Sequence, residues 1–239
     1  MTAKSYKRGY PVAVLVGVEQ SQVAIWKIYS KVAKPEANIQ LEGPRTDTKG
    51  LYKFYEVIIN KLRPILKEGV RSIIVAAPQK TSYSQDFLNH VKGHHQWLFE
   101  GVNKATFKQI VGSAVTHTQV SSITSTEEFK QSISDSIFEE SENLIELLEK
   151  RLSTTDNLVL FSLEEAEDAI YSCEIPGAPK PEYLLLTDSY LVEDKRKVRI
   201  NRLMQIAQNK KIKTRIISKE TPSGARLNQL GGLVVCLLK

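Results

Sequence analysis

Residues 223–239 read SGARLNQLGGLVVCLLK, and residues 211–222 just before them read KIKTRIISKETP. The earlier stretch is a β-type run that stops at a Thr-Pro turn. The later one is a short amphipathic turn, a Gly231-Gly232 pair and then apolar β-formers to the end. Strand, turn, short helix and strand form the closing part of an α/β unit. Working backwards, YLLLT (183–187) is a further strand after the Pro-rich loop IPGAPKP (175–181). The sequence predicts a helix over 194–208, a helix at SLEEAEDAIYS (162–172), and a strand or helix entry at LVLF (158–161).

The first half has the same alternation. Residues 12–18 (VAVLVGV) are a nearly continuous apolar run, as in a strand covered on both faces. Residues 22–29 (QVAIWKIY) alternate after the polar turn EQSQ, which predicts a hairpin, with a third strand at 38–41. EGPRTDTKG (42–50) is a loop by its Gly, Pro and small polar residues. Leu51, Phe54, Tyr55, Ile58, Ile59, Leu62 and Ile65 then recur at helical spacing. SIIVA (72–76) is a buried strand stopped by Pro78. A helix over 84–91 has Ser84 as its expected N-cap, and 107–111 is a strand. Thr124 and Glu127 have capping-box spacing at the start of a helix that reaches Leu152.

A chain of 239 residues fits one or two domains, at roughly 150 residues per domain. With a turn-like break at STTDN (153–157), the expectation is two α/β domains with mostly parallel or mixed sheets, at 1–135 and 136–239. The apolar share of 41% and charged share of 25% are those of a globular protein, and no apolar run approaches the ~20 residues of a membrane span. MTAKSYKRGYP (1–11) is basic without the apolar stretch of a secretory signal, and it has the form of a natural start. Cys173 and Cys236 have no metal-ligand spacing; a reduced, cytoplasmic setting follows, with both as small buried hydrophobes. A net charge of +6 permits RNA or an acidic partner without requiring either.

The closing pattern IIS…G..L..LGG.V..LL resembles the C-terminal domain of Pelota and of the class-1 translation termination factors of archaea and eukaryotes. The resemblance extends over nearly the whole chain. VAVLVGVEQSQVAIWKIYS looks like the opening hairpin of that family's middle domain. IIVAAPQKTSYSQDFLNHV resembles its strand–Pro–helix segment, and IVGSAVTHTQVSSITSTEEF the Ser/Thr-rich lead into the helix that closes the domain. SLEEAEDAIYSCEIPGAPKPEYLLLTDSYL is similar to the segment that introduces its C-terminal domain. The resemblance implies an RNase H-like first domain and a second α/β/α sandwich like that of kink-turn-binding ribosomal proteins.

The chain departs from the family in two places. It starts at the segment resembling the middle domain, so the resemblance implies no decoding-centre domain and no reading of stop codons. The loop at 42–50 also has no Gly-Gly-Gln, the tripeptide whose glutamine helps place the hydrolytic water in termination factors. It looks more like the basic loop of Pelota, which does not cleave the ester. Arg45 and Lys49 are then candidates for tRNA or rRNA phosphates, against the alternative of an ordinary solvated loop. Gln40 is a possible substitute for the missing glutamine, although its position reads as strand. Pro78, Gln79 and Lys80 stand where the Pelota turn meets a GTPase of the elongation-factor class; the alternative is a plain strand-ending turn.

Lys195, Arg199 and Arg202 share one face of the predicted 194–208 helix, which suits rRNA or an acidic partner as well as solvent. Glu139, Glu140, Glu142, Glu146 and Glu149 read as a solvated acidic helix face. Among the four histidines, His90, His94, His95 and His117, no carboxylate or cysteine stands at metal spacing, so no metal and no cofactor is expected. The leading function is a Pelota-like factor that binds the ribosome or a translational GTPase in rescue, recycling or quality control without ester hydrolysis. The rivals are a peptidyl-tRNA hydrolase lacking the stop-codon domain and an adaptor protein with no ribosomal role.

Overall fold

The computed structural model describes residues 11–29, 32–100, 104–154, 156–193 and 195–238. The basic lead-in at 1–10, Thr155 in the expected boundary and Asp194 at the expected helix start lie outside them. The chain divides into two compact units, 1–140 and 141–239.

In the first unit, β1 (Ala13–Val18), β2 (Gln22–Ile28) and β3 (Ala33–Gln40) form an antiparallel meander. Then α1 (Thr48–Lys67) crosses to β4 (Ser72–Ala77), which lies parallel to β1. After α2 (Tyr83–His94), β5 (Thr106–Val111) pairs parallel to β4. The sheet order β3-β2-β1-β4-β5 is the RNase H-like arrangement that the resemblance implied. Every residue of β1 and β4 is buried because both sheet faces are covered. Val14, Val16 and Val18 join the apolar faces of α1 and α2, while Ala13, Leu15 and Trp26 pack with α3 (His117–Ser125) and Phe129.

Local caps differ from expectation in two places. Ser84 lies inside α2 and donates to Gln109, and the N-cap is Ser82, whose hydroxyl donates to Asp86 instead of accepting from the backbone. The expected box at Thr124 is displaced. Thr116 and Gln119 form the capping box of α3, a helix the sequence reading missed, and Thr126 accepts from Phe129 N at the start of α4 (Glu127–Leu152). Residues 117–125 are mostly Ser, Thr and β-branched, with weak helix propensity, so the cap and packing on the sheet decide.

In the second unit, β6 (Val159–Leu160), α5 (Leu163–Ser172), β7 (Pro181–Thr187), α6 (Asp188–Glu193), α7 (Lys197–Asn209), β8 (Lys213–Ile217), α8 (Pro222–Gln229) and β9 (Leu233–Leu237) follow in order. The mixed sheet runs β6-β9-β7-β8. Tyr183, Leu185 and Val234 face Leu144 and Leu148 of α4 and Leu227 of α8; the alternate residues Leu184 and Leu186 point to the opposite face. The helix expected at 194–208 is α7, which begins at Lys197; the short α6 precedes it, and Lys195 and Arg196 lie in the turn before α7.

The closing motif has a direct physical explanation. Thr221 caps α8 by accepting from Gly224 N, and the Ser218 carbonyl accepts from both Thr221 N and Thr221 Oγ1. This tight turn places Ser218 against Gly224, where a Cβ would sit 1.9 Å from the Ser218 carbonyl oxygen. Gly232, with φ +78, then turns the chain into β9, where Cys236 is buried and its thiol pushed up to about 11 by that burial.

Candidate functional site

The β3–α1 loop is short and held from inside. Asp47 caps α1 by accepting from Lys49 N at 3.1 Å. Arg45 does not extend outward. Its Nε donates to the Gln20 carbonyl at 2.7 Å and its Nη2 to the Glu19 carbonyl at 2.5 Å, both in the β1–β2 turn. Its Nη1 also reaches the Tyr55 hydroxyl at 3.4 Å, and its guanidinium stacks 4.0 Å over the Tyr83 ring. A planar fork that meets two carbonyls and an aromatic face is a structural pin. Lys49 lies in the first turn of α1, not in the loop, and its side chain is exposed. Gln40 closes β3, and its amide donates to Gln22 on the neighbouring strand at 3.0 Å and to Asn38 at 3.5 Å.

Pro78 ends β4, and Gln79 and Lys80 are exposed in the following turn. Lys80 has φ +64, and Thr81 closes the turn by donating to the Pro78 carbonyl at 2.7 Å. The turn therefore presents two polar side chains on a fixed backbone.

The basic face expected near 195–202 is not one helical face. Lys195 precedes α7, so the i, i+4, i+7 alignment does not form. Arg199 makes two bonds to Glu167 of α5, at 3.1 and 2.5 Å, and Arg196 lies 3.3 Å from Glu164. Arg202 and Lys195 are exposed, with no ion pair among the described residues. The acidic helix is likewise partly neutralised: Glu139 pairs with Lys108 at 2.9 Å and Glu149 with Arg226 at 2.6 Å.

The structure also brings together a group that the sequence reading had set aside. Glu56 of α1 holds its Oε1 3.0 Å from His90 Nε2 and 2.8 Å from His95 Nε2. The expectation that no carboxylate accompanies the histidines is corrected here, since Glu56 arrives from another helix 34 residues upstream of His90. On a continuous helix, positions five apart point about 140° away from each other. His95 instead follows the last turn of α2 with φ −132 and ψ 49, and this break lets its ring meet the same carboxylate. Burial is the strongest influence on Glu56 and pushes its carboxyl up, but the bonds and charge of His95 and His90 outweigh it and hold it below its ordinary value. Burial lowers His90. His117, by contrast, stacks edge-on to Trp26 at 4.7 Å, away from this group.

Comparison with known proteins gives these geometries a setting. Residues 137–239 match the sequence model of the family described as eRF1 domain 3. The Pelota homologue of Pyrococcus furiosus is 24% identical over 98% of this chain and 63% of its own length. The homologue of Pyrococcus horikoshii is 25% identical over 95% and 61%. The chain resembles the middle and C-terminal parts of the Pelota and class-1 release-factor family. It spans a little under two thirds of the length of these relatives. Among solved structures, a ribosome-bound archaeal Pelota with ABCE1 covers 100% of this chain at TM-score 0.58 and 18% identity, with 64% of that protein matched. Saccharomyces cerevisiae Dom34, described as a translation termination-like factor involved in RNA quality control and interacting with Hbs1, covers 94% at TM-score 0.52 and 18% identity, with 63% of Dom34 matched. At these identities the structures establish a shared fold.

Proposed function

We propose that the chain is a Pelota-like translation factor that binds the ribosome, a translational GTPase or both, in ribosome rescue, recycling or quality control. In this reading it works in the cytoplasm and does not hydrolyse peptidyl-tRNA. The observation that carries the reading is the β3–α1 loop. It has neither Gly-Gly nor Gln, and its only arginine is committed to the Glu19 and Gln20 carbonyls. Gln40, the one glutamine beside it, is bonded across strands. A loop pinned this way offers no free amide to position water at an ester.

RNA contact in this proposal divides into two roles. Arg45 shapes the loop, while Lys49 supplies the exposed charge for tRNA or rRNA phosphate near the peptidyl-transferase region. Lys195 and Arg202 supply a second exposed basic edge, and Arg199 reaches phosphate only by leaving Glu167. Pro78, Gln79 and Lys80 form the surface for the GTPase. The similarity to an archaeal Pelota described as ribosome-bound, and to Dom34 described as interacting with Hbs1, supports this assignment. The absence, among the described residues, of a helix long and apolar enough to cross a membrane is compatible with it.

The test is equilibrium binding to ribosomes across a salt series. A Lys49→Ala, Arg202→Ala double variant should bind more weakly and with a salt slope shallower by roughly 1–2. An unchanged slope would remove both residues from any RNA interface. Peptide release by the protein, lost in Gln40→Ala, would replace this reading with the hydrolase.

A further inference from the structure

Glu56, His90 and His95 are three donors of types that bind transition metals, and their ligand atoms all lie within 4.8 Å of one another. They come from regular structure: Glu56 from the middle of α1, His90 from α2 and His95 from the residue that ends α2. Both imidazole side chains are nearly buried and the carboxylate is partly open to solvent. Aromatic rings set the imidazole planes. Tyr52 and Tyr55 lie 5.0 and 5.1 Å from His90, and Trp97 meets His95 edge-on at 6.5 Å.

We propose that these three residues form a divalent transition-metal site of the His2Glu type, suited to Zn2+, with its fourth position open to solvent. Nothing in the ribosome-binding reading requires it, so the two stand or fall separately. Zinc bonds of about 2.0–2.1 Å to nitrogen and oxygen in tetrahedral geometry place ligand atoms roughly 3.3 Å apart. The Glu56–His90 and Glu56–His95 separations of 3.0 and 2.8 Å must therefore open by a few tenths of an ångström. Rotation of Glu56 opens those two separations, and the two imidazoles, whose ligand atoms lie within 4.8 Å of each other, must turn to bring the third to the same spacing. Each ring already directs Nε2 at the shared oxygen, and a tautomer shift of its proton to Nδ1 frees that nitrogen for the metal. Neutral imidazole is the binding form, and burial favours it at His90.

The donor set also sets selectivity. Two imidazoles and one carboxylate suit Zn2+, Co2+ or Ni2+, whereas Mg2+ and Ca2+ require oxygen-rich shells. Among the described residues no protein group accepts from either Nδ1. Such support is worth about 10–100-fold in affinity, so the site should be of micromolar order, weaker than a structural zinc site.

The experiment uses the untagged full chain, titrated with Zn2+ against a chromophoric chelator, with Mg2+ as comparison. Co2+ absorbance reports the geometry. The expected result is one equivalent of Zn2+, visible bands of four-coordinate Co2+, a thermal midpoint raised by a few degrees at saturating Zn2+, and no effect of Mg2+. Glu56→Gln keeps the shape and the hydrogen-bond acceptor, so it should fold as the wild type and bind Zn2+ at least about 10-fold more weakly. His90→Gln should do the same from the other helix. Absence of Zn2+ binding, or binding undiminished in a normally folded Glu56→Gln, would overturn the proposal.

Discussion

Glu182 in the second unit and Glu56 in the first each sit between two nitrogen-bearing side chains, and the two arrangements have opposite character. In the second unit Glu182 divides its oxygens: Oε2 accepts from Arg151 and Oε1 from Lys213 at 2.9 Å. Both partners are basic side chains, and all three side chains are largely buried. In the first unit Glu56 offers a single oxygen to two imidazoles and leaves Oε2 without a partner among the described residues. The first group is an ion triad whose members cannot be removed singly without cost. The second consists of groups that can lose protons and take a metal. The lesson is that a cluster's chemistry follows from which partners can change charge, more than from its compactness.

The sharpest way to break the comparison is to delete each carboxylate. Glu182→Ala leaves Arg151 and Lys213 buried without their counter-charge, and the second unit should lose about 3 kcal/mol, measured by hydrogen exchange of its sheet. Glu182 also makes that loss depend on pH. Burial raises its carboxyl, but the bonds and charges of Arg151 and Lys213 prevail and hold it below the ordinary value. A depressed folded-state value means that the contribution is complete above the unfolded carboxylate range and disappears as pH falls through the folded value. Wild type and Glu182→Gln should therefore differ at pH 7 and converge in acid. A constant difference would contradict the triad.

Smaller effects test the same distinction between committed and free groups. Arg45→Ala removes bonds to two backbone carbonyls and the contact with Tyr83, and should cost about 2 kcal/mol in the first unit. Glu56→Gln keeps an acceptor for both imidazoles and should cost about 1 kcal/mol, well below Glu182→Ala, in the same exchange measurement. Lys49→Ala, at an exposed position, should change stability by less than about 0.5 kcal/mol while still lowering the salt slope of ribosome binding. Equal stability losses for Arg45→Ala and Lys49→Ala would erase the division of roles in the loop.

Much of the scaffold was legible from spacing alone. The buried runs of β1, β4 and β7 and the amphipathic face of α1 stand out because both sheet faces are covered and the helix has one wet side. The motif at 216–232 was legible as a pattern, and its cause appears only when Ser218 and Gly224 meet. What escaped was whatever depends on a cap or a distant partner. Thr116 rather than Thr124 forms a capping box, and Lys195 lies in the turn before α7, outside the helix of Arg199. Arg45 read as a free cation because its partners are backbone carbonyls, which leave no mark in sequence. Glu56 was hidden among the polar residues of α1, and only the break of α2 at His95 joins it to both histidines.

The measurement that tests the central claim most directly is co-sedimentation of the protein with ribosomes carrying peptidyl-tRNA, scoring bound protein and released peptide together. The account predicts salt-sensitive binding with no peptide released. Release of peptide, or no binding even at low salt, would contradict it.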